Sequence, residues 1–215
     1  MNKAFTIDYY INKVLDFFKG YMDIDKKQNA VLSYAIRLVI NSIIAYSMAL
    51  IPALIFGNFN NVLIITLTFA ALRVFSGGAH NSSILNCSIN GAIISNILGF
   101  LPKYLVLNKS IMFSIIIFTF LFSLWAIGKY APADTPSKPI TTKAKRQVLR
   151  RNSFVVVCIW CFISIVWFIK ASHVTTYIYA STLGILWQSF TVTTSGYKLY
   201  SVADKALLYF RREEI

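Results

Sequence analysis

Arg73, Ser76, Gly77, Gly78, His80 and Cys87 fall within fifteen residues of a chain that is otherwise mostly apolar. A thiol becomes an effective nucleophile when a neighbour lowers its pKa or takes its proton, and an imidazole can do both. In one straight helix residues 80 and 87 would share a face but stand about 10.5 Å apart along the axis, too far for a direct hydrogen bond. Gly77 and Gly78 offer a remedy. Glycine accepts positive φ, so the chain can turn sharply and lay His80 back over a helix that starts near Ser82. Cys87 then sits close to the start of that helix, where free N–H groups and the helix dipole favour negative charge. The competing reading is that both residues only pack at a helix start. Arg73, a charge at the end of a short apolar run, reads as a functional residue, with a structural interhelical contact as its alternative.

The elements that position these residues belong to a membrane protein. Across 215 residues, 57% apolar content and 15% aromatics exceed what an ordinary soluble domain carries and suffice for several crossings. The expected architecture is all-α: one polytopic helix bundle over residues 1–215, with about six transmembrane helices and an N-terminal amphipathic interfacial helix. That first helix, within 1–30, carries Ile7, Ile11, Val14, Phe18 and Tyr21 on one stripe, a helical period that suits a membrane surface or the protein's own surface. Crossings follow at about Ser33–Phe56, Val62–Phe75, Ser82–Leu101, Ser110–Gly128, Asn152–Ile169 and Thr175–Thr194. The third is dotted with Asn86, Ser88, Asn90, Ser95 and Asn96, side chains typical of helix contacts or a cavity wall rather than lipid. Residues 131–151 form a basic loop, and 198–215 a mixed-charge tail.

Charge sets the expected orientation. Of the 21 Lys and Arg, five lie in the N-terminal segment, one is Arg73, seven lie in 129–151 and four in the tail; Arg37 lies within a crossing, and only Lys103, Lys109 and Lys170 fall in the opposite loops. The positive-inside rule therefore places both termini, the His80–Cys87 region and the 131–151 loop on the cytoplasmic side of the cell membrane. The bilayer absorbs the basic excess as a partner, and nucleic acid is a poor second.

Other chemistries lack their groups. No HExxH, P-loop, GxSxG or acidic cluster occurs, and one His with one Cys cannot complete a zinc site, so neither a metal nor a cofactor is expected. Cys158 and Cys161 form a C-x-x-C inside an apolar run without a surrounding βαβ pattern, and are read as packing residues. His173 reads as an interfacial histidine. The best enzyme reading is a membrane cysteine peptidase with Cys87 as nucleophile and His80 as base, then acid; Asn81, Asn86 and Asp134 are unranked candidates for a third residue. A non-enzymatic transporter or scaffold for a small peptide is the other class.

The pattern Arg-x-x-Ser-Gly-Gly-x-His, followed six residues later by Cys87, resembles the signature of the accessory gene regulator B (AgrB) family. Residues 129–139, with Ala131, Pro132, Ala133, Asp134, Thr135, Lys138 and Pro139, look like that family's second motif. Pro136 and Ser137 depart from it, standing where polar residues such as Glu or Asn are expected. The resemblance implies that His80 and Cys87 are catalytic. It implies an AgrD-like precursor of a quorum-sensing signal as substrate, cut on its C-terminal side and closed into a thiolactone or lactone. Arg73 would then bind an acidic part of that precursor. Resemblance alone implies a homodimer.

Overall fold

A computed structural model describes residues 7–19, 25–133, 140–171 and 175–212. His173 and Asp134 lie outside them. The described residues form eight helices and no strand: α1 (Ile7–Lys19), α2 (Lys26–Ile55), α3 (Phe59–Ser76), α4 (Ile84–Tyr104), α5 (Lys109–Tyr130), α6 (Lys143–Lys170), α7 (Thr176–Thr191) and α8 (Thr194–Arg212). The chain divides into two compact units, residues 1–47 and 48–215.

The first unit holds α1 and most of α2. Val14, Phe17 and Phe18 of α1 are exposed. A reciprocal cap starts α2: Gln28 N–H donates to Asp25 Oδ1 at 2.7 Å, and Asp25 N–H to Gln28 Oε1 at 3.1 Å. Two orphan donors of the first turn are thereby satisfied.

In the second unit the helices alternate in direction, and side-chain caps mark their starts. Ser83 caps α4, Asn108 α5, Thr142 α6 and Thr175 α7, each accepting from the N–H three residues on. Five helices, α2 to α6, are long and apolar enough to cross a membrane. The sixth expected crossing, α7, has 16 residues. At about 1.5 Å per residue it is shorter than a hydrocarbon core of about 30 Å, yet it runs from Thr175, shortly after Ala171, to Thr191 at the glycine turn. It packs among α3, α4, α5 and α6, and ten of its residues are buried. Gly184 lets α7 approach α3: a Cβ there would stand 2.7 Å from Ile65 O and still closer to Thr68 Oγ1. Small residues at such contacts replace the hydrophobic drive that lipid cannot supply.

Two polar ends result. At one, Lys103 Nζ donates to the carbonyls of Phe56 and Gly57 at 3.0 and 3.3 Å, and Lys109 Nζ to Ala171 O at 2.6 Å. At the other, the end of α3, the start of α4, the end of α5, the start of α6, the end of α7 and α8 converge around residues 73–87. Basic side chains from distant segments, Arg73, Arg146 and Arg150, gather there.

Candidate active site

The site is built on the break between α3 and α4. Gly77 and Gly78 take φ of 66° and 141°, both in the region that side chains other than glycine rarely adopt. The chain turns there and runs non-helically to Ser83, and α4 begins at Ile84, so Cys87 stands in its first turn. His80 lies back over that turn. Its Nδ1 is 3.8 Å from Cys87 Sγ, the direct approach that a straight helix forbids.

The second motif closes on the first. Ala133 N–H donates to Ser76 O at 2.8 Å, and Gly77 pairs with Ala133 in a parallel bridge. Arg150 Nε donates to Ala131 O at 2.8 Å and Arg146 to Pro132 O at 3.3 Å, so the start of α6 holds the far side of this loop. The Ala131–Pro132 peptide bond is cis.

Arg73 points into the turn. Its guanidinium donates to Ala79 O and Gln188 Oε1, and one nitrogen lies 3.2 Å from both ring nitrogens of His80. Gln188, fully buried in α7, returns its amide to Ser76 Oγ at 2.9 Å and Gly77 O at 2.7 Å. Thr191 adds its hydroxyl to Gln188 Oε1 at 3.1 Å, and its carbonyl accepts from Ala79 N–H at 3.0 Å. Helix α7 is therefore the floor of the glycine turn.

Crowding of the imidazole by protein atoms and then the Arg73 charge lower the His80 pKa to about 4. The side chain keeps an exposed edge, so the guanidinium contact is the contribution its geometry supports most directly. His80 is thus a neutral imidazole at pH 7. A neutral ring that accepts the thiol proton at Nδ1 carries its own proton on Nε2. Because the folded value lies below the ordinary 6.5, the associated stability is complete above about pH 6.5 and is lost as pH falls towards 4. Removing the charge reverses the direction: Arg73→Gln raises the His80 titration midpoint towards 6.5. Histidine-labelled NMR on protein carrying His173→Asn reads it, and an unmoved midpoint excludes Arg73 as a cause.

Neither Asn81 nor Asn86 hydrogen-bonds to the imidazole. Asn81 accepts from Asn90 Nδ2 at 3.4 Å, and its side chain helps to hold the Asp204 carboxyl down. Asn86 donates to Asp204 Oδ1 at 2.9 Å, and Ser82 N–H donates to Asp204 Oδ2 at 3.1 Å. Desolvation pushes the Asp204 carboxyl up, but the bonds from Asn86 and Ser82 prevail and hold it below its ordinary range. The segment read as a tail is helix α8, and its Asp204 reaches the site. Its signal was faint but present: Asp204 is the only acidic residue between Asp134 and Glu213. Gln188 had none, being one polar residue in an apolar run. Cys158 is exposed and Cys161 buried on α6, neither beside a histidine among the described residues. No group of three His, Cys, Asp or Glu that could hold a metal occurs among the described residues.

A helical membrane bundle with a thiol–imidazole pair at one polar end is the class of protein these features define. Residues 11–192 match the family model of accessory gene regulator B, and the chain belongs to that family, which is involved in accessory gene regulation and quorum sensing. It is 31% identical to a putative AgrB-like protein of Clostridium perfringens (strain SM101 / Type A), covering 85% of this chain and 89% of the relative. It is 32% identical to the accessory gene regulator protein B of Staphylococcus intermedius, over 72% and 76% of the two chains. A putative AgrB-like protein of Listeria monocytogenes serotype 4a (strain HCC23) is 26% identical over 78% of each. No solved structure matches.

Proposed function

We propose that this chain is a membrane cysteine endopeptidase that cleaves the C-terminal part of a quorum-sensing precursor and promotes ring closure of the released acyl part. The carrying observation is the 3.8 Å approach of Cys87 Sγ to His80 Nδ1 across the glycine turn. His80 takes the thiol proton as Cys87 sulfur attacks the scissile carbonyl, then gives it to the departing amine. The C–N bond breaks and an acyl thioester remains on Cys87. A thiol or hydroxyl within the acyl part attacks that thioester, His80 takes its proton, and Cys87 leaves and recovers a proton from His80. With a thiol, one thioester replaces another at little net free energy. Water would instead hydrolyse the intermediate, so exclusion from a membrane recess favours the ring.

Arg73 acts as the binding group for an acidic part of the precursor, since a guanidinium meets a carboxylate bidentately. Drawing its charge away from the ring would raise His80 basicity as substrate arrives, because the same charge lowers it in the free protein. Both termini and the active site face the cytoplasm in this reading. A cysteine introduced as Lys143→Cys is then labelled by an impermeant maleimide only after the membrane is opened; labelling of intact cells overturns the orientation.

The test of the function is co-expression with an amphipathic precursor peptide that carries an internal Cys or Ser and an acidic tail, followed by mass spectrometry of the membrane protein. A hydroxylamine-labile acyl mass on the Cys87 peptide is expected. Precursor cleavage with no acyl adduct on Cys87, even in rapidly quenched samples, contradicts the covalent route.

A further inference from the structure

Helix α8 carries one acidic side chain, and it crosses to the active-site loop. Ser82 N–H and the Asn86 amide, separated from Asp204 by 122 and 118 positions, donate to its two carboxylate oxygens. Those two donors bracket the turn that matters. Ser82 ends the extended segment carrying His80, and Asn86 immediately precedes Cys87. Asn86 is 2% exposed, so its side chain has little water to turn to. Four residues earlier on the same face of α8, Tyr200 is buried. The Tyr200–Asp204 face is thus held at two points, by burial of Tyr200 and by the bonds of Asp204 to the loop, which makes the carboxylate a fixed post. Asp204 also lies beyond residues 11–192, the part matched by the family model.

We propose that Asp204 is a positioning residue for the His80–Cys87 pair, binding Ser82 and Asn86 so that imidazole and thiol stay in reach. This rests on the cysteine peptidase reading above. It does not touch the reacting atoms. Its two oxygens fix the backbone at residue 82 and the helix start at residue 86, and the histidine and cysteine follow those two anchors. Without it, Ser82 N–H and the Asn86 amide lose their shared acceptor and the segment from 79 to 83 can swing away from α4.

The test uses the full chain in native membranes with Cys158→Ala and Cys161→Ala, and reads iodoacetamide alkylation of Cys87 at pH 7 by mass spectrometry beside thermal stability. His80→Ala is expected to slow alkylation about a hundredfold by removing the proton acceptor, the lower side of what general bases contribute. Asp204→Ala is expected to slow it towards the His80→Ala rate, with Asp204→Asn intermediate because an amide keeps one acceptor oxygen. The exchange Asn86→Asp with Asp204→Asn restores an amide-to-carboxylate pair and an acceptor for Ser82 N–H, so it returns the rate to within about threefold of the parent. A purely structural role lowers thermal stability and leaves the alkylation rate of the surviving protein unchanged. If His80→Ala slows alkylation while the Asp204 variants match the parent, or the exchange is no better than Asp204→Asn alone, the positioning assignment fails and the dyad stands. If His80→Ala itself alkylates at the parent rate, the dyad fails and Asp204 has nothing to position. Should Asp204→Ala not accumulate, Asp204→Asn and the exchange decide alone.

Discussion

Cys87→Ala is expected to abolish precursor cleavage, whereas Cys158→Ala and Cys161→Ala should retain most of it. The difference lies in surroundings rather than in the thiols. Cys87 stands in the first turn of α4 with His80 Nδ1 3.8 Å from its sulfur. Cys158 and Cys161 lie in the apolar run of α6, Cys161 among Val157, Trp160 and other core side chains, where a thiolate would lack a compensating charge. Losing the nucleophile removes the covalent route altogether, so residual turnover should fall by at least about a hundredfold, the scale of a catalytic group rather than of a packing change. Cys87→Ser retains the volume but offers a far weaker nucleophile and should be inactive as well. His80→Ala should lose turnover and still insert and bind precursor, because removing a base leaves the binding surface. Cleavage of co-expressed precursor, followed by mass spectrometry, reads all five variants. Undiminished cleavage by Cys87→Ala would refute the peptidase mechanism and return weight to a transporter or scaffold.

Gly77→Ala should be nearly as damaging, through the backbone. A Cβ at residue 77 would have to occupy the space of Ala133 O, and the residue also sits at φ 66°. Each problem alone costs about 1–3 kcal/mol, and both act on the same atoms. The obstacle is backbone already bonded to Ser76, so it cannot step aside as a side-chain tip could. The expected result is loss of cleavage together with a lowered thermal midpoint. Gly78→Ala should be milder: its φ of 141° is also unusual, but the nearest obstacles are the ends of Thr191, Arg73 and Gln188 side chains at 2.9–3.4 Å. Gly91→Ala is the control, a helical site where an added Cβ meets nothing within 4 Å. Full activity and unchanged stability in Gly77→Ala would show that residues 77 and 133 do not pair in the working enzyme.

The sequence alone carried everything that depends on local pattern. Apolar runs predict the all-α bundle because a helix in lipid must satisfy its own backbone, and the run length marks the crossings. The glycine pair signals a turn because few other residues adopt positive φ, and the spacing of His80 and Cys87 requires such a turn if they are to meet. The sorting of Lys and Arg into two sets matches two opposite polar ends of the bundle. What tertiary structure decided has no local signature. Gln188 under the turn, Ala133 against Gly77 and Asp204 on Ser82 join positions 56 to 122 apart, and one polar side chain in an apolar helix looks the same whether it faces a neighbour or a cavity. The burial of α7 is legible only after its neighbours surround it, because an apolar run reads alike whether lipid or other helices cover it. Segment 198–212 looked like a tail for the same reason: Asp204 finds its hydrogen-bond partners far away in the chain, and only the fold brings it to the loop that carries His80.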